Sequence, residues 1–223
     1  LAAVETALRN PSTPPSDLAR LAHTEQVATR ALIRHPEWQG EVMGRLPATV
    51  KPIVEANLLA GTELSRLASS EPRDLPNWKI VAPPPPAALR AEYRAAESAT
   101  GVGWQYLAAI HLVESRMGRI RGDSSAGAQG PMQFLPSTWD AYGGGGDINS
   151  YHDAILAAAR LLKANGAPGD MNNALFRYNP SQRYVRAITA YADQMKSDER
   201  AYLAYYHWQV YYFDTWLPEG YGS

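Results

Sequence analysis

Apolar residues in this chain return at every third or fourth position, and nowhere do they alternate over a useful length. A helix repeats its face about every 3.6 residues and a strand every second one, so this rhythm predicts an all-α fold. Prolines and glycines cut the rhythm into segments. After the break at Ser12 to Pro15, the positions Leu18, Leu21, Ala22, Val27, Ala31 and Leu32 predict a helix to about His35, capped by Ser16 or Asp17. Val50 to Leu67 forms another, on Ile53, Val54, Leu58, Leu64 and Leu67. Further helices are expected over Ala87–Ala99, Gly103–Met117, His152–Asn165, Asp170–Arg177, Gln182–Met195 and Asp198–Phe213, with a turn of helix over Ser137–Tyr142. Gly166 stops the His152 helix as a left-handed cap. There is no internal repeat.

One stretch lacks the rhythm. From Glu71 to Pro86 the prolines at 72, 76 and 83 to 86 favour extended polyproline geometry. Trp78, Ile80 and Val81 are apolar enough to hold such a strap against the globule, which predicts an ordered connector. The chain thus divides into an N-terminal helical segment (1–70), a Pro-rich connector (71–86) and a larger helical domain (87–223). The N-terminal segment has many apolar positions but no polar constellation. It is expected to pack on the rest and add no catalytic group. His23 and His35 stand alone and read as solvated or capping residues.

Hydrophobic residues make up 45% of the 223 residues and charged ones 19%, enough to build a packed core. The net charge of -1 leaves no basic field to hold nucleic acid, so recognition must come from a specific site. Cysteine is absent, which excludes disulfides and thiol catalysis without fixing the compartment. No run of eighteen apolar residues is present to span a membrane. The chain begins at Leu1, and an export signal or lipid anchor ahead of it is compatible with that start.

The chemically suggestive residue is Glu114. Leu107, Ile110, Glu114 and Met117 fall on one helical stripe, and three of the four are apolar. A carboxylate drawn out of water there has its charged form disfavoured and its pKa raised. A carboxyl group still protonated near neutral pH can donate its proton to a leaving glycosidic oxygen. The alternative is a Glu114 at the stripe's edge that simply reaches solvent.

Two further segments bear on that choice. Glu114-Ser115-Arg116-Met117-Gly118 is followed by Gly130-Pro131-Met132-Gln133 and then by Ala174-Leu175-Phe176-Arg177-Tyr178-Asn179. Together these resemble the bacterial lytic transglycosylases, in which a Glu-Ser pair ends a helix, a Gly-x-Met-Gln segment follows and an Ala-x-x-x-Tyr-Asn segment comes later. The resemblance spans roughly Ala87 to Phe213 and is to a secreted subgroup related to the membrane-bound type B enzymes. It implies a lysozyme-like helical fold, export to the cell envelope, peptidoglycan glycan strands as the partner, and no cofactor. Pro180-Ser181 departs from the commoner family text, where glycine or a small polar residue follows the Asn.

The other candidate residues carry alternatives. Ser115 points away from Glu114 on a helix and is expected to bond backbone at the helix end. Ser124 matches a family serine able to reach the catalytic Glu or the sugar, and is equally well a turn serine. Ser125 lies beside it. The Gln133 amide both donates and accepts, which suits sugar hydroxyls and N-acetyl groups. Met132 and Phe134 read as core. Tyr178 is placed to orient a carboxyl group and Asn179 to hold an N-acetyl, or the pair simply ends a helix before Pro180. Gly143 to Gly146 is a groove rim or a plain turn. Asp147, Asn149 and Asp153 lack calcium-loop spacing, since position 158 is Ala, so no metal is expected and Ser150 with Asp153 suits a helix cap. The aromatic run Tyr202 to Trp216 is better explained by packing than by a carbohydrate groove.

Most glycosidases flank the bond with two carboxylates. The matched motifs supply one, and Asp123 and Asp147 lie outside them. The resemblance implies that the 2-acetamido group of N-acetylmuramic acid assists. In the mechanism that the resemblance implies, Glu114 protonates the leaving oxygen, then deprotonates the C6 hydroxyl, closing a 1,6-anhydro ring without water. The alternatives are a hydrolytic muramidase of the goose-type lysozyme kind and an inactive wall-binding protein. A serine hydrolase is disfavoured because no Gly-x-Ser-x-Gly is present.

Overall fold

A computed structural model describes residues 1–68 and 74–223. The boundary expected at 70/71 and the first residues of the connector lie outside the described residues. The chain is predominantly helical, as its periodicity predicts. Among the described residues the helices are α1 (Ala2–Arg9), α2 (Pro15–Arg34), α3 (Gln39–Arg45), α4 (Lys51–Leu67), α5 (Pro86–Thr100), α6 (Trp104–Ser115), α7 (Pro136–Tyr142), α8 (Tyr151–Ala164), α9 (Met171–Tyr178), α10 (Gln182–Ser197) and α11 (Glu199–Tyr206). Two short antiparallel pairs join them: β1 (Lys79–Ile80) with β2 (Ile120–Arg121), and β3 (Val210–Tyr212) with β4 (Thr215–Leu217). No described helix is long and apolar enough to cross a membrane.

Helix α6 is the central rod. Trp104, Leu107, Ala108, Ala109, Ile110 and Leu112 are all buried, so it is apolar on every side rather than along one stripe. It packs among α5, α8, α10 and α11. The helix stops at Ser115, and Met117 falls beyond it instead of inside it. Arg116, Met117 and Gly118 follow at φ 54, 59 and 83, three left-handed residues in a row. For the two that carry a Cβ this conformation costs on the order of 1 kcal/mol or more each.

The N-terminal helices share the main core. Leu8 of α1, Leu21 and Ala22 of α2 and Ala60 of α4 belong to the same apolar cluster as α6 and α10, and α10 lies along α4. A smaller cluster of Leu32, Leu46, Val50, Val54 and Leu58 is confined to the N-terminal helices. A buried polar seam crosses the junction. Glu25 of α2 accepts hydrogen bonds from Asn57 Nδ2 and Trp208 Nε1, both at 3.1 Å. Asn57 Oδ1 accepts from Tyr205 Oη at 2.6 Å and from Gln194 Nε2 at 3.2 Å. Arg9 pairs with Glu5 at 2.5 Å. Burial and repulsion from Glu25 push the Glu5 carboxyl up to about 9, and burial raises Glu25 as well, so the coupled pair holds a proton more tightly than free carboxyls do.

Several local expectations are corrected. Neither Ser16 nor Asp17 caps α2, because Pro14 occupies the cap and Pro15 the first turn, where proline's fixed φ and missing N–H suit a helix start. Helix α11 ends at Tyr206, and the rest of the aromatic run turns into the β3–β4 hairpin, with Phe213 at φ 48 in its turn. Packing still accounts for much of that run, since Tyr202, Tyr205, Tyr206 and Trp208 are buried. His23 is neither solvated nor a cap: its Nε2 lies 2.7 Å from Tyr211 Oη, tying α2 to the hairpin. The connector is ordered where described. Ile80 is buried, pairs with Ile120 and donates its N–H to the Tyr221 carbonyl at 2.9 Å. Gly166 ends α8 in a Schellman arrangement, its own N–H on Lys163 and that of Ala167 on Leu162.

Candidate active site

Glu114 occupies the last turn of α6. The residue is partly buried and its carboxyl group is surrounded by protein atoms. Burial raises its pKa to about 7, and a hydrogen bond from Tyr184 pulls the other way. That bond runs from Tyr184 Oη to Glu114 Oε1 at 2.7 Å. Among the described residues no second carboxylate contributes to the shift. Asp123 and Asp147 are engaged elsewhere: Asp123 accepts from Gln129 Nε2 at 3.4 Å, and Asp147 from the Asn149 N–H at 2.9 Å.

Tyr178 is brought to the same place but not into the expected contact. Its ring stacks on that of Tyr184, with centroids 6.3 Å apart and planes 3° from parallel. Its hydroxyl donates to the Met132 carbonyl at 2.6 Å instead of orienting Glu114. Burial and the nearby Glu114 raise the pKa of this phenol well above the ordinary range, so it stays protonated. Tyr184 is therefore the carboxyl-orienting phenol that sequence reasoning missed. The chain Glu114–Tyr184–Tyr178–Met132 links all three motif segments through two hydrogen bonds and one ring stack.

Gln133 follows Met132 in the loop that carries the second segment. It stands at φ 51, another left-handed residue with a Cβ, and its Nε2 donates to the Gly130 carbonyl at 3.0 Å. Gly130 is at φ 73, where an added Cβ would meet the Ile148 carbonyl oxygen at 2.1 Å, so only glycine fits that approach. Met132 and Phe134 are buried as expected. Ser115 bonds backbone, also as expected: its Oγ donates to the Pro131 carbonyl at 2.6 Å and accepts from the Gly118 N–H at 3.1 Å. One serine thereby pins the end of α6 to the Gln133 loop.

The remaining candidates divide. Ser124 Oγ accepts from the N–H groups of Ala126 and Ala128, so it is committed to its own turn and is not joined to Glu114. Ser125 is exposed and lines a cleft of about 860 Å³, whose wall includes Val113 of α6 and Arg116 just beyond its end but not Glu114. Asn179 is partly buried and ends α9 in an extended conformation, its carbonyl accepting from the Ser181 N–H at 2.7 Å. The Pro180-Ser181 departure has a local reason: Ser181 caps α10, with its Oγ accepting from the Arg183 N–H. Ser150 caps α8, its Oγ accepting from the Asp153 N–H, and Asp153 bonds the Asp147 N–H in turn. Gly143 to Gly146 forms a turn beside α7, with Gly144 and Gly145 at positive φ.

No protein-family model, curated protein or solved structure matches the chain. What the site offers chemically is a partly buried carboxyl group, its pKa pushed up to about 7 and one oxygen held by a phenol.

Proposed function

We propose that this protein is a peptidoglycan lytic transglycosylase of the cell envelope, with a lysozyme-like catalytic domain and Glu114 as its sole general acid and base. The observation that carries the reading is the state of Glu114. A carboxyl group with a pKa of about 7 is divided between acid and base at neutral pH, which suits a residue that must first give a proton and then take one. Tyr184 fixes one carboxyl oxygen and leaves the other for substrate. Protonation of the glycosidic oxygen by Glu114 releases the leaving sugar. The 2-acetamido group of the muramoyl unit stabilises the cation. The carboxylate so formed takes the proton of the C6 hydroxyl, whose oxygen closes onto C1. Among the described residues no second carboxylate acts on Glu114, which suits a route in which one residue serves in turn as acid and base.

The test is mass spectrometry of muropeptides released from purified sacculi by the wild-type protein and by Glu114→Gln. The reading expects 1,6-anhydromuramoyl ends from the wild type and loss of at least about 10²-fold in rate from the variant. Reducing ends would identify a muramidase. Undiminished release by a folded Glu114→Gln protein would remove Glu114 from the chemistry.

A further inference from the structure

Three buried side chains around the end of α6 take no part in the chemistry proposed above. His111 of α6, Tyr93 of α5 and Met117 of the corner after α6 are all fully enclosed. Tyr93 Oη lies 2.6 Å from His111 Nδ1 and 3.5 Å from Met117 Sδ. The other ring nitrogen of His111, Nε2, is sealed from solvent and has no hydrogen-bond partner among the described residues. Burial and the positive charge of Arg121 lower the imidazole pKa to about 3, so the ring is neutral and carries one N–H proton.

The neighbours decide which nitrogen holds that proton. With the proton on Nδ1, every donor in the group has an acceptor: Nδ1–H donates to Tyr93 Oη, and the phenol donates to Met117 Sδ. With the proton on Nε2, an enclosed N–H is left without an acceptor, which buried N–H groups rarely tolerate. A thioether is a weak acceptor, but it is the one in reach of the phenol once Nδ1 donates. The group ends on a strained residue. Met117 stands at φ 59, a left-handed conformation that is costly for a side chain with a Cβ. The N–H groups of Arg116 and Met117 both donate to the His111 carbonyl, that of Met117 at 3.1 Å. His111 thus holds the corner twice, by its carbonyl and, through Tyr93, by its ring. The last residue of the corner, Gly118, donates its N–H to Ser115 Oγ at 3.1 Å, which closes the corner back onto the turn that carries Glu114.

We propose that His111 is a positioning residue for Glu114, acting through a relay that runs from His111 Nδ1–H to Tyr93 Oη and from the Tyr93 hydroxyl to Met117 Sδ and holds the left-handed corner closed. The role of Glu114 rests on the transglycosylase reading above; the relay itself does not. A corner anchored in this way keeps the last turn of α6 wound and the Glu114 carboxyl among protein atoms. That enclosure is what raises the carboxyl pKa to about 7.

The test combines nitrogen-15 NMR of the imidazole nitrogens, carbon-13 titration of Glu114 and steady-state rates on soluble glycan strands. It compares the full-length wild type with Tyr93→Phe and Met117→Leu. In the wild type, His111 should show a protonated Nδ1 and a bare Nε2, unchanged between about pH 5 and about pH 8. Met117→Leu keeps the volume but removes the phenol's acceptor. The Tyr93 proton then turns to Nδ1, and the imidazole proton moves to Nε2. Tyr93→Phe breaks the relay at its middle. The Glu114 pKa should fall from about 7 toward its ordinary value as water reaches the loosened turn. The kcat should fall at least about tenfold with KM within about twofold, because substrate contacts are kept while the acid is misplaced. A wild type protonated on Nε2, or a tautomer indifferent to Met117→Leu, would overturn the relay. So would a Tyr93→Phe protein that melts lower yet keeps the Glu114 pKa and kcat, since that is the mark of packing alone. The NMR readouts need no catalysis. A failed relay with anhydro products from sacculi therefore sinks only the positioning role, while an intact relay in a protein that cleaves no glycan sinks only the transglycosylase reading.

Discussion

Tyr184 donates its phenolic proton to Glu114 Oε1 at 2.7 Å, from a helix seventy residues further along the chain. The bond favours the charged carboxylate and so holds the Glu114 pKa down against burial. Tyr184→Phe removes only the hydroxyl. The Glu114 pKa should rise above about 7 by roughly one to two units, given on the order of 1.5–3 kcal/mol for a hydrogen bond to a charged group. Carbon-13 NMR titration of the glutamate carboxyls reads this directly. An unchanged or lower pKa in the variant would show that the bond does not tune the acid.

Ser115→Ala leaves the Gly118 N–H and the Pro131 carbonyl without their buried partner. The cost should be about 1–3 kcal/mol of stability by denaturant unfolding. Glycan cleavage should fall as well, because the Gln133 loop loses its tie to α6. A stability change within experimental error would mean that water replaces the hydroxyl.

How much of this was legible in the sequence depended on how far apart the interacting groups lie. Helices appeared wherever apolar spacing was unambiguous, as over Ala87–Ala99 and His152–Asn165, within a residue or two of α5 and α8. The aromatic run after Asp198 misled because Tyr and Trp suit both periods, and the β3–β4 turn at Phe213 and Asp214 has no glycine to mark it. Glu114 was visible as a carboxylate among apolar neighbours. Tyr184 was not, because it falls among the buried positions of α10 and its single relevant contact is non-local. The cleft was invisible for the same reason: its walls come from α2, α4, α6 and the hairpin, and no local pattern reports their meeting.

The Glu5–Glu25 pair makes stability depend on pH. Glu5 is raised from 4.5 to about 9 in the folded state, so the folded protein binds the extra proton. Stability is therefore full below the ordinary carboxyl pKa and is lost as pH rises from 4.5 toward about 9. Glu5→Gln removes that titration while keeping an amide beside Glu25. Melting temperature plotted against pH should fall on the alkaline side for the wild type and fall less steeply for the variant. Parallel curves would show that Glu5 does not contribute to this pH dependence.

Loss of residues 1–70 should destabilise the remainder strongly. It uncovers apolar surface of α10 and takes Glu25 and Asn57 from Trp208, Tyr205 and Gln194. A fragment of residues 71–223 is expected to melt well below the full chain and to bind more of a dye that reports exposed apolar surface. Equal melting temperatures would show that the helical domain does not depend on this seam.

The central claim is that cleavage consumes no water, with Glu114 serving as both acid and base. Digestion of sacculi in water enriched in the heavy oxygen isotope tests it most directly. The account predicts anhydromuramoyl products with no isotope incorporated, and their disappearance in Glu114→Gln. Incorporation of the heavy oxygen at the newly formed muramoyl end would contradict it.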